Sequence, residues 1–385
     1  MASTSYFFHP QFLPLRGYFL LWLLAHILST NSWAASPQVS QLLESSFERT
    51  TGTEPGGAAL YPDSATSWYD HSVVSPSVHY DGKLYRLWFV GLSRTQDPQI
   101  PYGFAERIGM ATSGDGIHWK VANQGQPVFD YGPTGSFDAC GVTHPFILYH
   151  AGRFLMWYGG IDGRSGQDIG DGPAHVRVEQ IGLATSLDGI HWTRQNSGRP
   201  VMTVGQPGSI DSVQATGCHI IRRGLEFVMW YGAYNGTHTL GLATSSDGIN
   251  WKKGNQEASL TGLQGPQQLG PAVYFDGGLY LMYYNTLVQT ANGGNLWKLF
   301  AATSRDGVRW KPALKHQSVL PPAPRDNFGS ADGKKGNNHC VHPTKGIFLR
   351  DRVRVWYGAE GHLAAPGRTY APSAIGLMEA ILPAP

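Results

Sequence analysis

Short apolar and aromatic runs recur along the chain, each bounded by Gly, Asp or Asn. The run Leu87-Trp88-Phe89-Val90-Gly91 has counterparts at Met156-Trp157-Tyr158-Gly159, Met229-Trp230-Tyr231-Gly232, Met282-Tyr283-Tyr284-Asn285 and Val355-Trp356-Tyr357-Gly358. Runs of this length and composition read as strands. A turn precedes each, as in Tyr80-Asp81-Gly82-Lys83 and Phe275-Asp276-Gly277-Gly278, and implies a further strand before it. A second pattern, A-T-S-x-D-G-[IV]-x-W, occurs at 111–119, 184–192, 243–251 and 302–310. Its Asp-Gly pair between two apolar runs is a strong hairpin signal. The Trp beyond the turn is placed to plug a seam between neighbouring sheets.

Each unit is therefore a meander of four strands: an inner strand, the aromatic strand, the A-T-S strand and a Trp strand. Radial repetition of such units is the signature of a propeller. The first three strand types occur five times, the last A-T-S-type strand being Ile375-Gly376-Leu377-Met378-Glu379, but the Trp strand occurs four times. The chain ends soon after that strand, so the missing one is expected from Ser46-Phe47-Glu48-Arg49-Thr50-Thr51, with Phe47 in place of the Trp. The expected fold is all-β: a five-bladed β-propeller of four-stranded antiparallel blades, its ring closed by an N-terminal strand. Two long inserts, 93–106 and 161–178, are expected as loops at one face.

Composition agrees. Among 385 residues there are 49 Gly, and only 15% are charged, which suits short strands and tight turns. The formal charge of +2, without a Lys/Arg run, disfavours nucleic acid and anionic membrane as partners. The N-terminus has the pattern of an export signal. His9 and Arg16 precede the apolar run Tyr18-Phe19-Leu20-Leu21-Trp22-Leu23-Leu24-Ala25, and Ser32-Trp33-Ala34 offers a cleavage site. The expected organisation is a signal peptide over 1–35 and one propeller domain over 36–385, secreted or periplasmic, with no stable membrane insertion after cleavage.

The A-T-S-x-D-G-x-x-W repeat and the W-Y-G strand resemble the five-bladed propellers of the glycoside hydrolases that include families 43, 32, 68 and 130. The resemblance runs over nearly the whole sequence from Phe47 to Glu379. Sialidase-type propellers carry a related Asp-box, but there the Gly does not directly follow the Asp, and six units are expected. The resemblance implies a carbohydrate substrate and three carboxylates in the central funnel: a base or nucleophile, a tuning group and a general acid. An Asp opens the inner strand in each of the first three units: Asp70, Asp138 and Asp211. Asp211 stands where the resembled enzymes place a Glu. The competing reading of G-S-x-D is a turn in which the Asp caps backbone N–H groups. Asp115, Asp188, Asp247 and Asp306 belong to the hairpin turns.

Aromatic side chains stack on sugar rings, and Trp68, Tyr69, Tyr102, Tyr234 and Trp297, with His71, are the candidate substrate-binding residues. A further constellation joins Cys140, His144, Cys218, His219, Cys340 and His342 on the inner strands. Residues two apart on a strand share a face, so these groups offer N and S donors for Zn or Cu; an exported protein also oxidises Cys pairs. The resemblance adds a possible central Ca²⁺ near His342 or His339. Two alternatives to a carboxylate glycosidase follow: a non-catalytic glycan-binding or assembly propeller, and a metal-dependent enzyme using the Cys/His cluster.

Overall fold

The computed structural model describes residues 39–96, 104–172, 176–254, 260–289, 295–313, 318–320, 342–344, 346–360 and 373–382. All belong to the unit Pro37–Pro385. A one-and-a-half-turn helix α1 (Val39–Glu44) leads into strand β1 (Glu48–Thr50). The first meander is β2 (Ser72–Tyr80), β3 (Tyr85–Gln96), β4 (Phe104–Ser113) and β5 (Lys120–Val121). The second is β6 (Gly141–His150), β7 (Arg153–Ser165), β8 (Arg177–Ser186) and β9 (Thr193–Arg194). The third is β10 (Gln214–Arg223), β11 (Glu226–Tyr234), β12 (His238–Ser245) and β13 (Lys252–Lys253). The fourth is β14 (Gln268–Asp276), β15 (Leu279–Gln289), β16 (Asn295–Ser304) and β17 (Lys311–Pro312). A fifth sheet holds β18 (His342–Pro343), β19 (Ile347–Phe348), β20 (Arg352–Glu360) and β21 (Ser373–Ile381). Pairing within each is antiparallel; it follows sequence order in the first four, while in the fifth β18 and β19 both pair with β20, which pairs with β21. One parallel bridge, Gln214 to Glu179, links the second and third meanders.

The N-terminal strand supplies the outer strand of the fifth sheet, as expected. Glu48, Arg49 and Thr50 pair with Glu379, Met378 and Leu377, and the Thr50 hydroxyl donates to Glu379 Oε2 at 2.7 Å. The inner strands touch in sequence: β2 with β6, β6 with β10, β10 with β14, β14 with β18, and β18 with β2.

The Asp-Gly turns have one construction. The Ser113 hydroxyl accepts from the N–H groups of Asp115 and Gly116, and Asp115 Oδ1 accepts from Ile117 and His118. Gly116 sits at φ +77°, where a side chain would be strained. The same bonds recur at Asp188, Asp247 and Asp306. Backbone N–H donation holds the carboxyls of Asp115, Asp247 and Asp306 well below the usual aspartate range, and Asp188 is held down likewise against its burial. These four aspartates are structural, as expected.

The turns also build the seams. Each indole of the aromatic strands donates to the turn glycine of another meander: Trp88 to Gly189 O, Trp157 to Gly248 O, Trp230 to Gly307 O and Trp356 to Gly116 O, at 2.9–3.2 Å. The Trp after each turn packs edge-on against the same indole; Trp192 against Trp88 is one case. The fourth aromatic strand has Tyr283 in place of Trp, and Phe47 packs edge-on against it at 5.7 Å. Phe47 thus does the work of the missing Trp.

Two details differ from expectation. Each Trp lies just before a two-residue outer strand, between it and the preceding bend, not within that strand. The inserts 93–106 and 161–178 are in part strand: β3 runs through Gln96 and β7 through Ser165, past irregularities in pairing after Leu92 and Ile161. Such irregularities let a strand bend and continue.

Candidate functional site

The inner strands carry a repeated bulge. Pairing is interrupted between Val74 and Ser77, Thr143 and Phe146, Thr216 and His219, and Leu269 and Ala272. At the bulges Ser75, His144, Gly217 and Gly270 take φ values of +49°, +47°, +53° and +62°. Strained backbone held at one repeated position marks a place worth inspecting for function. These residues, with Pro76, Pro145, Cys218, Pro271 and Pro343, line a narrow channel of about 60 Å³. His144 Nδ1 lies 2.9 Å from the Ser75 hydroxyl.

A larger cavity of about 640 Å³ adjoins it, sharing His144, Gly217 and Gly270. Its wall includes Arg177 and Glu179 from β8, Gln214 and Thr216 from β10, Tyr234 from β11, and His238 from β12. Arg177 binds two carboxylates: its Nε donates to Glu179 Oε1 at 2.7 Å, and its Nη1 to Glu106 Oε1 at 2.5 Å. Both glutamates are buried. Glu179 Oε2 is shielded from solvent and receives no hydrogen bond, and the same holds for the Thr216 hydroxyl. Thr216 lies near enough to favour the ionised form of Glu179, without a bond of normal geometry between them. Burial acts to raise the Glu179 carboxyl, but Arg177, His144 and Thr216 together hold it below the ordinary glutamate value. Burial lowers His238, and the nearby Glu179 charge only partly opposes this. The Tyr234 and His238 rings lie 4.6 Å apart, and Trp297 stands 6.2 Å beyond His238.

The three expected carboxylates do not meet on this wall. Asp138 and Asp211 are fully buried, each closed in a matching box. Asp138 accepts from Ser136 Oγ, the Tyr158 hydroxyl and Arg194 Nε. Asp211 accepts from Ser209 Oγ, the Tyr231 hydroxyl and Lys253 Nζ. Burial first, and the adjacent carboxylate second, push both tyrosine hydroxyls far up. G-S-x-D therefore ties an inner strand to its aromatic neighbour and to a cation on the outer strand. Asp70 is half-buried just before β2 and is not part of the cavity wall.

The Lys253–Asp211 pair yields a direct prediction. Lys253→Met leaves a buried carboxylate without its counter-charge, and the expected loss of stability is about 3–5 kcal/mol, read by chemical denaturation. Turnover per folded molecule should hold. Unchanged stability with lost turnover would return Asp211 to the role of acid.

Of the expected sugar-binding residues, Tyr234 lines the cavity and Trp297 extends the same aromatic row through His238. Trp68 and Tyr69 are corrected to core packing. Both are buried, Trp68 stacks on Phe89, and its indole donates to Gly125 O. A Cβ at Gly91 would meet the Trp68 ring at 2.5 Å, so this glycine makes room for it. His71 lies outside the cavity wall, its Nδ1 2.9 Å from the Ser72 hydroxyl. Tyr102 lies outside the described residues.

The metal constellation does not assemble among the described residues, where no three His, Cys, Asp or Glu side chains group to hold an ion. Cys140 and Cys218 are not joined to each other in a disulfide. Burial pushes the Cys218 thiol up to about 12, away from the thiolate that Zn or Cu requires. His219 is buried against the Phe146 ring. Cys340, His339 and the side chain of His342 lie outside the described residues. The described groups alone thus do not assemble a Zn or Cu site, and the residues expected beside a Ca²⁺ lie outside them.

Glu106, Arg177, Glu179, Thr216 and His238 escaped the sequence reading. A signal for three of them exists. Two residues before the apolar residue of each A-T-S-type strand stand Glu106, Glu179, His238, Trp297 and Ser373 in turn. Alignment of the repeats on that apolar residue brings these variable side chains to one register.

No protein-family model matches the sequence. It is 24% identical over 277 residues to the uncharacterized protein MT1551 of Mycobacterium tuberculosis, covering 68% of this protein and 83% of that one. Among solved structures it superposes with TM-score 0.65 on the BT0996 RGII complex, at 16% identity, covering 89% of this protein and 94% of that one. It also superposes with TM-score 0.60 on a member of the GH130 family of mannoside phosphorylases, which contains glycoside hydrolases that target β-1,2 mannosidic linkages in Candida mannan. Identity there is 19%, covering 86% of this protein and 93% of that one. The structural neighbours are glycoside hydrolases of propeller type, and this protein has their fold.

Proposed function

We propose that the protein is an exported five-bladed propeller, its ring closed through β1, that acts on a carbohydrate in the 640 Å³ cavity through the carboxylate of Glu179. The ring is supported by the succession of inner-strand contacts and by the Trp356–Gly116 bond from the fifth sheet to the first meander. Export is supported by the signal-like N-terminus. The observation that carries the chemistry is the buried Glu179 Oε2, without a partner, on a residue of the cavity wall. Cleavage of a glycosidic bond uses an ionised carboxylate as base or nucleophile. Arg177 keeps Glu179 in that form, and the Tyr234–His238–Trp297 row offers apolar ring faces to a sugar.

A second reading, glycan binding without cleavage, is favoured by one observation. Glu179 is the carboxylate of the described cavity wall, and it is held ionised, so that wall offers no carboxylic acid to protonate a leaving group. Reducing-end release from an oligosaccharide panel, compared between the protein and Glu179→Gln, separates the two. Turnover lost in the variant with binding retained supports cleavage. Binding with no turnover by either protein supports the second reading.

A further inference from the structure

The ion cluster beside the cavity, of which Arg177 and Glu179 line the wall, has more negative than positive charge. Two buried glutamates, Glu106 and Glu179, share one guanidinium, that of Arg177. Among the described residues of the wall there is no other Lys or Arg. Of the two wall histidines, His144 adds to the attraction on the Glu179 charge, while burial favours the neutral ring of His238. Beside this imbalance stand two buried oxygens without hydrogen bonds, Glu179 Oε2 and Thr216 Oγ1, on adjacent strands β8 and β10. Unpartnered buried oxygens of this kind are costly unless a ligand or water completes them.

We propose that the sugar taken by this cavity carries a free amino group, and that its ammonium donates to Glu179 Oε2 and Thr216 Oγ1. The inference rests on the carbohydrate reading above. A hydroxyl has one proton to donate and brings no charge. An ammonium has three, accepts none, and sets a positive charge against Glu179. A uronate or sulfated sugar would set an anion against Glu179 and is excluded by like-charge repulsion. The ring of the amino sugar lies against the Tyr234–His238 faces, which adjoin the two oxygens on the same wall.

Four monosaccharides that differ at few positions test this without assuming a linkage: glucosamine, N-acetylglucosamine, glucose and glucuronate. Binding is measured by calorimetry at slightly acid pH, where the free amine is protonated. Glucosamine is expected to bind about tenfold to a hundredfold tighter than glucose or N-acetylglucosamine, and glucuronate more weakly than any. Glu179→Gln, with its folding checked by thermal melting, is expected to lower glucosamine to the level of glucose; Thr216→Val is expected to reduce the preference by a smaller factor. Glucose or N-acetylglucosamine binding as tightly as glucosamine overturns the amino-sugar inference and leaves the carbohydrate reading standing. A glucosamine preference that survives Glu179→Gln overturns the placement of the ammonium. Binding of none of the four overturns both.

Discussion

Glu179→Gln is expected to lower turnover of any glycan the protein cleaves by about 100- to 10,000-fold, the range for loss of a positioned acid or base. The substitution keeps the shape of the side chain and its contact with Arg177, which still holds Glu106. What it removes is the charge at Oε2. The pH dependence of stability gives an independent readout. Glu179 in the folded protein lies below its ordinary value of about 4.3. A depressed carboxyl contributes stability above its unfolded value, and loses that contribution as pH falls through the folded one. The wild type should therefore lose an increment of stability in acid that the Gln variant lacks. Denaturation curves across that range, measured beside turnover at neutral pH, check both parts. Full activity in the variant would remove Glu179 from the chemistry.

Deletion through Thr51 is expected to destabilise the whole protein, not just its terminus. The deletion removes the pairing of β1 with β21, and with it the buried Phe47 that packs on Tyr283. It also removes Val39 and Leu42, which are buried in the same core cluster as Phe47. Loss of the Phe47 ring alone is worth about 3–5 kcal/mol. The bared β21 edge offers unpaired backbone groups to other molecules, so aggregation should accompany the loss. Thermal melting and size-exclusion chromatography of the deletion and of Phe47→Ala test this. An unchanged melting temperature in both would show that β1 is dispensable.

The scaffold was legible because it repeats. Five copies of the aromatic strand and four of the Asp-Gly turn declare their periodicity, and the shortfall of one Trp pointed to Phe47. Repetition also misled. Asp138 and Asp211 recur because each closes the same box with a serine, a tyrosine and a cation, which is a reason of stability. Glu106 and Glu179 share a register in two units only and carry no motif around them: His238, Trp297 and Ser373 take the corresponding places in the others. A search for shared motifs passes over such positions, because the binding chemistry lies in what differs between otherwise equal units. Arg177 was hidden for another reason. It falls in an insert expected as loop, and only the continuation of β8 brings it beside Glu179.

The indole bonds across the seams bear on how a ligand enters. Trp157 on the second meander is fastened to Gly248 on the third, and most of the cavity wall is drawn from those two units, with Leu269 and Gly270 added by the fourth. Widening or closing the cavity by moving one unit against the other would break that bond and unseat Trp251, which packs against Trp157. These two units are thus held in place before a ligand arrives. Binding free energy is not spent on moving the second against the third. Association should accordingly lack the slower step that movement of these two units would add.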